Sequence, residues 1–290
     1  MTQYSKVING VNISYKDIGQ GRILFCLPPY PTSSTVFIPF INHALKKNSN
    51  IRFIAFDLPG FGGFSSLPKD NFTMEEYTKL IEDFILSFKA KNYSILGYSY
   101  GGFLLSYMLS RKIINPEKAV MVSGFYNGRG LIEYQPLLNY MRFFKLIKPG
   151  SFLNYLCAIF TENDIKISDL KIFLQIRKKD YVKKLFKEIR NMSFSTSYQL
   201  LHWTKDIILN QNIFKNTDSL VVYSDRDLAF IKKQSMELER NGIKAVRVIN
   251  EGHRHFFFNV EKSATYIVKF LQSFPPEGWK LETTTQAIDP

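Results

Sequence analysis

Residues 93–102 read YSILGYSYGG, and the reading of this stretch decides what the rest of the chain can be. Its first part, YSILGYS (93–99), is an apolar run of strand length. The segment that follows, GGFLLSYMLSRK, has the make-up of a helix. Between them stands Gly97-Tyr98-Ser99-Tyr100-Gly101, a G-x-S-x-G pattern set on a strand-to-helix turn. A serine there sits in strained backbone geometry, and glycines are needed on either side because neighbouring Cβ atoms would clash. The turn lifts the Ser99 hydroxyl to the carboxyl edge of a sheet, near the positive end of a helix. The pattern alone also fits a glycine-flanked loop serine; the flanking strand and helix are what favour the sharper reading.

Outward from this stretch, apolar runs of strand length alternate with segments of helical period. VNISYKDIG (11–19) reads as an early edge strand, and RILFCLP (22–28) as a strand buried on both faces. A short helix is expected from Val36 to Lys46, then the strand RFIAFD (52–57) and the turn LPGFGGFSS. The next helix starts between Asn71 and Glu75, with Thr73 and Glu76 spaced as a capping box, and runs to about Lys89. AVMVSGF (119–125) is the following strand. Alternation stops over 127–210, where only helical patches occur, among them KIFLQIRKKDYVKKLFKEIR. It resumes with SLVVYSD, the helix AFIKKQSMELERNG, the strand AVRVINEG and a last helix, SATYIVKFLQSF, which ends before Pro275-Pro276. Such alternation implies a mostly parallel sheet with helices on both faces. Residues 1–126 and 211–290 would form the core, with 127–210 inserted as a helical block between the fourth and fifth parallel strands. The tail GWKLETTTQAIDP is expected to pack loosely.

The totals set bounds. With 290 residues, 45% hydrophobic and 22% charged, the composition is that of an ordinary globular chain. No apolar run reaches the length of a membrane span, and the polar, alternating start MTQYSKVINGVNISY lacks a signal-peptide layout. The two cysteines, Cys26 and Cys157, read as free thiols in a reducing compartment, which points to the cytoplasm. The formal charge of +13 raises nucleic acid as a partner, but no zinc-ligand, RNP-like or arginine-rich motif accompanies it. Lysine is interleaved with Ile, Asn and Phe throughout, which fits a solvated basic surface; attraction to anionic lipid or substrate is the lesser alternative.

A serine hydroxyl is a weak nucleophile without a base and an orienting acid. Asp227, in VVYSDRDLAF, follows an apolar strand where ligand-facing loops of parallel sheets emerge; Asp225 is its rival. His253, in NEGHRHFFF, follows the last strand, with Gly252 giving the loop room to bend; His255 is its rival. His43 and His202 sit in helical surroundings and read as structural. The chain order Ser, Asp, His is the one this fold class uses.

Through FCLPPYPTSS, FIAFDLPGFGGFSS, ILGYSYGG, VVYSDRD and EGHRHFF the chain resembles the α/β-hydrolase superfamily over nearly its whole length. The resemblance implies an α/β-hydrolase fold, a cap formed by 127–210, and a structural role for Asp57. It argues against the dehalogenase and epoxide-hydrolase branches, which place an aspartate where Ser99 stands. In the family, the loop after the first core parallel strand usually reads His-Gly followed by an oxyanion-hole amide. Here Pro28-Pro29 replaces His-Gly and Tyr30 falls in the donor position, with Tyr100 N–H as the second donor; Tyr30 could also merely pack. The aromatics of 125–160, beginning with Phe125 and Tyr126, are candidate substrate contacts and equally a cap's own core. The expectation is a serine hydrolase acting on an ester of a small or medium apolar acid, with Ser99, Asp227 and His253 catalytic and no metal or organic cofactor. A carbon–carbon bond hydrolase, thioesterase, aminopeptidase or lyase would use nearly the same residues, and a non-catalytic binding protein would keep the fold alone. Oligomeric state is left open.

Overall fold

The computed structural model describes residues 2–30, 32–47, 50–62, 65, 72–134, 194–273 and 287–288. Among them, nine strands form one sheet in the order β1-β2-β4-β3-β5-β6-β7-β8-β9. They are β1 Tyr4–Ile8, β2 Val11–Gly19, β3 Arg22–Leu27, β4 Ile51–Phe56, β5 Tyr93–Tyr98, β6 Lys118–Val122, β7 Asp218–Arg226, β8 Lys244–Gly252 and β9 Ala287–Ile288. β1 and β2 pair antiparallel, as do β2 and β4; every other pairing is parallel. The helices are α1 Ile38–Lys46, α2 Met74–Leu86, α3 Tyr100–Ser110, α4 Phe194–Thr204, α5 Ala229–Arg240, α6 His255–Phe258 and α7 Glu261–Gln272.

Period-2 alternation along the central strands sorts their side chains onto two faces. Phe25, Leu27, Ile54, Phe56, Tyr93 and Ile95 join the cluster under α2 and α3. Their neighbours Leu24, Cys26, Phe53, Ala55, Leu96 and Tyr98 join the one under α1 and α7. With both faces covered, the strands must be apolar throughout, which is why RILFCL and YSILGY show no polar stripe. α2 begins at the expected box: the Thr73 hydroxyl accepts from Glu76 N–H, and the Glu76 carboxylate accepts from Thr73 N–H at 2.7 Å.

Several expectations shift. β2 is not the edge strand: β1 lies outside it, joined by Asn9 and Gly10 at φ 48° and 79°. That is the left-handed pair a tight hairpin requires. The expected helix of 36–46 divides into a 3-10 turn, Ser34–Phe37, and α1. α2 ends at Leu86 rather than about Lys89. In the tail, Ala287–Ile288 adds to β8 in parallel. Of the block 127–210, the helix read over 171–190 and most of the expected cap lie outside the described residues. Its ends are described: Gly128 N–H donates to Ile207 O at 2.9 Å, bringing the entry and exit of the insertion together. Among the described residues, no helix is long and apolar enough to cross a membrane.

Candidate active site

The sheet brings the carboxyl ends of β5, β7 and β8 together, and with them Ser99, Asp227 and His253. Ser99 holds φ 51° and ψ −112° between β5 and α3, a conformation rare for a residue with a Cβ. It is fixed there by its own N–H to Val122 O at 2.9 Å and by its carbonyl, which accepts from Gly102 and Phe103 N–H. The glycines around it are demanded by close approach. A Cβ on Gly97 would lie 2.6 Å from the Gly101 carbonyl carbon, and one on Gly101 would lie 2.6 Å from that of Leu27. α3 therefore starts pressed against the end of β3.

Asp227 is aimed by a fault in the ladder. The β7–β8 register shifts between Ser224 and Arg226, and such a bulge re-directs the side chains beyond it. The Ser224 hydroxyl donates to Glu251 O and accepts from Arg226 N–H, which ties the bulge to β8. Asp227 Oδ1 then accepts from Leu228 N–H at 2.9 Å and lies 2.6 Å from His253 Nδ1. His253 Nε2 is 3.0 Å from Ser99 Oγ. Burial on its own would push the Asp227 carboxyl up. The neighbouring His253 outweighs it, through charge and hydrogen bond, with the Ser123 hydroxyl and His255 adding to the effect, and holds the group below its ordinary range. A carboxylate only accepts, so Nδ1 carries the hydrogen that faces Asp227, and in the neutral imidazole the Nε2 lone pair faces the serine. The side chain of Asp227 is fully buried and that of His253 is 15% exposed, so water reaches the imidazole but not the carboxylate.

Neither rival joins this relay. Asp225 Oδ1 is buried with no hydrogen-bond partner among the described residues, and the residue's backbone carbonyl accepts from Lys232 Nζ at 3.0 Å. His255 is buried, with Nδ1 3.3 Å from Gly252 O. Gly252 itself has open space where a Cβ would go and no left-handed φ, so the room expected of it is not a steric need. His43 Nε2 lies 3.2 Å from the Thr265 hydroxyl, remote from the site.

Tyr100 is the first residue of α3, where an N–H has no intrahelical acceptor. Tyr30 lies across from it, their rings 6.4 Å apart, with Phe61 on the other side at 6.2 Å. From Tyr100 a chain of rings continues through Phe103 and Phe125 to Phe230, at 5.8, 5.2 and 5.3 Å. Phe125 thus shares the cluster that contains Tyr100. Tyr126 instead packs with Met121, Phe214 and Tyr223, and its hydroxyl donates to Glu237 at 2.8 Å.

Tyr98 and Thr204, not singled out from the sequence, also belong to the arrangement. The Tyr98 hydroxyl donates to the His253 carbonyl at 3.0 Å, tying the His253 loop to the β5–α3 turn. The Tyr100 hydroxyl pairs with that of Thr204 at 3.1 Å, linking the elbow to α4. Tyr98 stood in the motif itself, but nothing in the sequence says which way its ring turns. Among the described residues, no group of three His, Cys, Asp or Glu side chains is placed to hold a metal ion.

A family model described as alpha/beta hydrolase fold matches residues 22–261. The chain belongs to that family. No curated protein matches the sequence. Solved structures agree on the fold at low identity. An esterase from Exiguobacterium antarcticum is 19% identical with a TM-score of 0.72, over 94% of this chain and 100% of that one. An enol-lactonase from Burkholderia xenovorans is 16% identical with a TM-score of 0.75, over 93% and 100%. A bromoperoxidase from Bacillus anthracis is 14% identical with a TM-score of 0.66, over 94% and 100%.

Proposed function

We propose that the protein is a serine hydrolase that cleaves an ester-type bond of a small or medium apolar substrate through an acyl-enzyme. The observation that carries the reading is the continuous relay from Asp227 Oδ1 through the His253 ring to Ser99 Oγ, with spans of 2.6 and 3.0 Å. Ser99 Oγ attacks the carbonyl while His253 Nε2 takes its proton. Asp227, kept ionised, holds the imidazole in the tautomer that can do so and stabilises the imidazolium that forms. The developing oxyanion accepts from the Tyr30 and Tyr100 amides, each worth about 3 kcal/mol of transition-state stabilisation. His253 returns the proton to the departing alkoxide, and water, activated by the same nitrogen, releases the acid.

Family membership supports hydrolysis. Among the structural neighbours, the names of an esterase and an enol-lactonase favour an ester-type bond, while that of a bromoperoxidase does not. The apolar substrate is supported by the aromatic run beside the elbow, Tyr30, Tyr100, Phe103, Phe125 and Phe230. Phe125 and Tyr126 are the contacts we assign to substrate, the Tyr126 hydroxyl donating at the same time to Glu237. A cytoplasmic location is part of the proposal and rests on Cys26, a free thiol whose burial pushes its pKa up. The test is hydrolysis of p-nitrophenyl esters of graded chain length by the wild type and by Ser99→Ala. Turnover that peaks at short or medium chains and vanishes in the variant supports the reading. Absence of turnover by folded wild type, or turnover that survives in Ser99→Ala, refutes it.

A further inference from the structure

Lys16 lies in the middle of β2 and is only 1% exposed, the one lysine among the largest fully buried side chains of the described residues. A buried ammonium is costly unless it is paired and hydrogen-bonded. Its Nζ donates to Ser34 Oγ at 2.6 Å. Ser34, fully buried, turns its N–H to Asp57 Oδ1 at 2.7 Å. Asp57 is also fully buried, and its own N–H is held by Ser14 O at 2.8 Å. Ser34 therefore bridges a buried lysine on β2 and the buried Asp57 side chain at the end of β4. The knot is tight: a Cβ on Gly62 would fall 2.6 Å from Asp57 Cγ and 3.1 Å from Ser33 Cβ.

Ser34 closes the segment LPPYPTSS. Pro28 and Pro29 open it, each without an N–H and with φ fixed by its ring. The Pro29 carbonyl is clamped by Thr32, whose N–H and hydroxyl donate to it at 2.9 and 2.8 Å. The Tyr30 amide lies inside that clamp, and Ser34, two residues beyond it, ties the loop to the sheet. A loop without a bracing side chain of its own at 28 and 29 is thus held from below, through Ser34.

We infer that Lys16 is a positioning residue for the oxyanion amide of Tyr30, acting through Ser34 against Asp57. The inference rests on the serine-hydrolase reading above. Lys16 touches no substrate; it fixes where one donor stands when charge develops on the carbonyl oxygen. A displaced donor weakens the transition state and leaves ground-state binding nearly untouched.

The experiment compares wild type, Lys16→Met, Ser34→Ala and the double variant on p-nitrophenyl butyrate and on the matching thionoester. Fluorophosphonate titration gives the active fraction, and thermal unfolding gives a folding control. For Ser34→Ala we expect kcat to fall about tenfold with KM within about twofold, less than the roughly hundredfold or greater loss of a whole donor. The wild-type preference for ester over thionoester should shrink, because sulfur accepts poorly and responds little to donor placement. The double variant should be no slower than the slower single one, since both break one bridge. Should Lys16→Met fail to fold, Ser34→Ala decides alone. A folded Ser34→Ala with wild-type kcat and thionoester ratio overturns the inference. Wild type that neither turns over nor labels overturns the hydrolase reading itself, a separate and visible outcome.

Discussion

Replacing Gly101 with alanine tests the packing that presents Ser99. The added Cβ would lie 2.6 Å from the Leu27 carbonyl carbon, with the carbonyl oxygen closer still, where ordinary contact begins at 3.4 Å, so α3 and β3 must part by at least about 0.8 Å. The obstacle is backbone on a central strand, which cannot swing aside as a side chain would. Leu27 immediately precedes Pro28, and Ser99 immediately precedes the displaced helix. The shift therefore falls directly between Ser99 and the loop bearing Tyr30. A misplacement approaching 1 Å at reacting groups costs about 10²-fold in rate, and overpacking costs about 1–3 kcal/mol in stability. Gly101→Ala should lose about two orders of magnitude in kcat/KM on p-nitrophenyl butyrate and unfold several degrees earlier. Activity within about threefold of wild type at an unchanged midpoint would refute the claim that helix–strand contact sets the geometry.

Gly252→Ala is the contrasting case: open space around it predicts activity within about twofold and stability within about 0.5 kcal/mol, checked by the same two assays. Asp227→Asn should lower kcat by about 10³ to 10⁴, because an amide can donate to Nδ1 and turn the imidazole to the wrong tautomer; Asp225→Asn, measured beside it, should stay near wild type. Tyr98→Phe keeps the ring and removes the tie to the His253 carbonyl, so kcat should fall several-fold with KM steady, and the downfield Nδ1 proton resonance should broaden. Burial holds the pKa of His255 below its ordinary 6.5, against the charge of Asp227. The folded chain thus refuses a proton that the unfolded chain accepts. Its stabilisation is whole above about 6.5 and is lost as pH falls toward the folded value, so His255→Asn should flatten the decline of unfolding free energy between pH 7 and 5.

How far the sequence could be read depended on where each signal lives. Period-2 and helical patterns are local, so the strands beside Ser99, the capping box of Thr73 and Glu76, and the family showed plainly. β1 escaped although Asn9-Gly10 between alternating residues is a hairpin signal, because Val7 and Tyr4 are too exposed to mark a core strand. The Ser224–Arg226 bulge that aims Asp227 depends on hydrogen bonds to β8, which no local pattern encodes. No local pattern marks Lys16 within VNISYKDIG; only the fold places Ser34 against it. The direction of the Tyr98 and Tyr126 rings is likewise set by neighbours distant in the chain, His253 and Glu237.

The central claim is that Ser99 is the nucleophile, and intact-protein and peptide mass spectrometry after fluorophosphonate treatment tests it most directly. The account predicts one adduct per chain, located on Ser99, formed fast in wild type and lost or strongly slowed in His253→Ala. Folded wild type that takes up no adduct, or carries it on another residue, would contradict it.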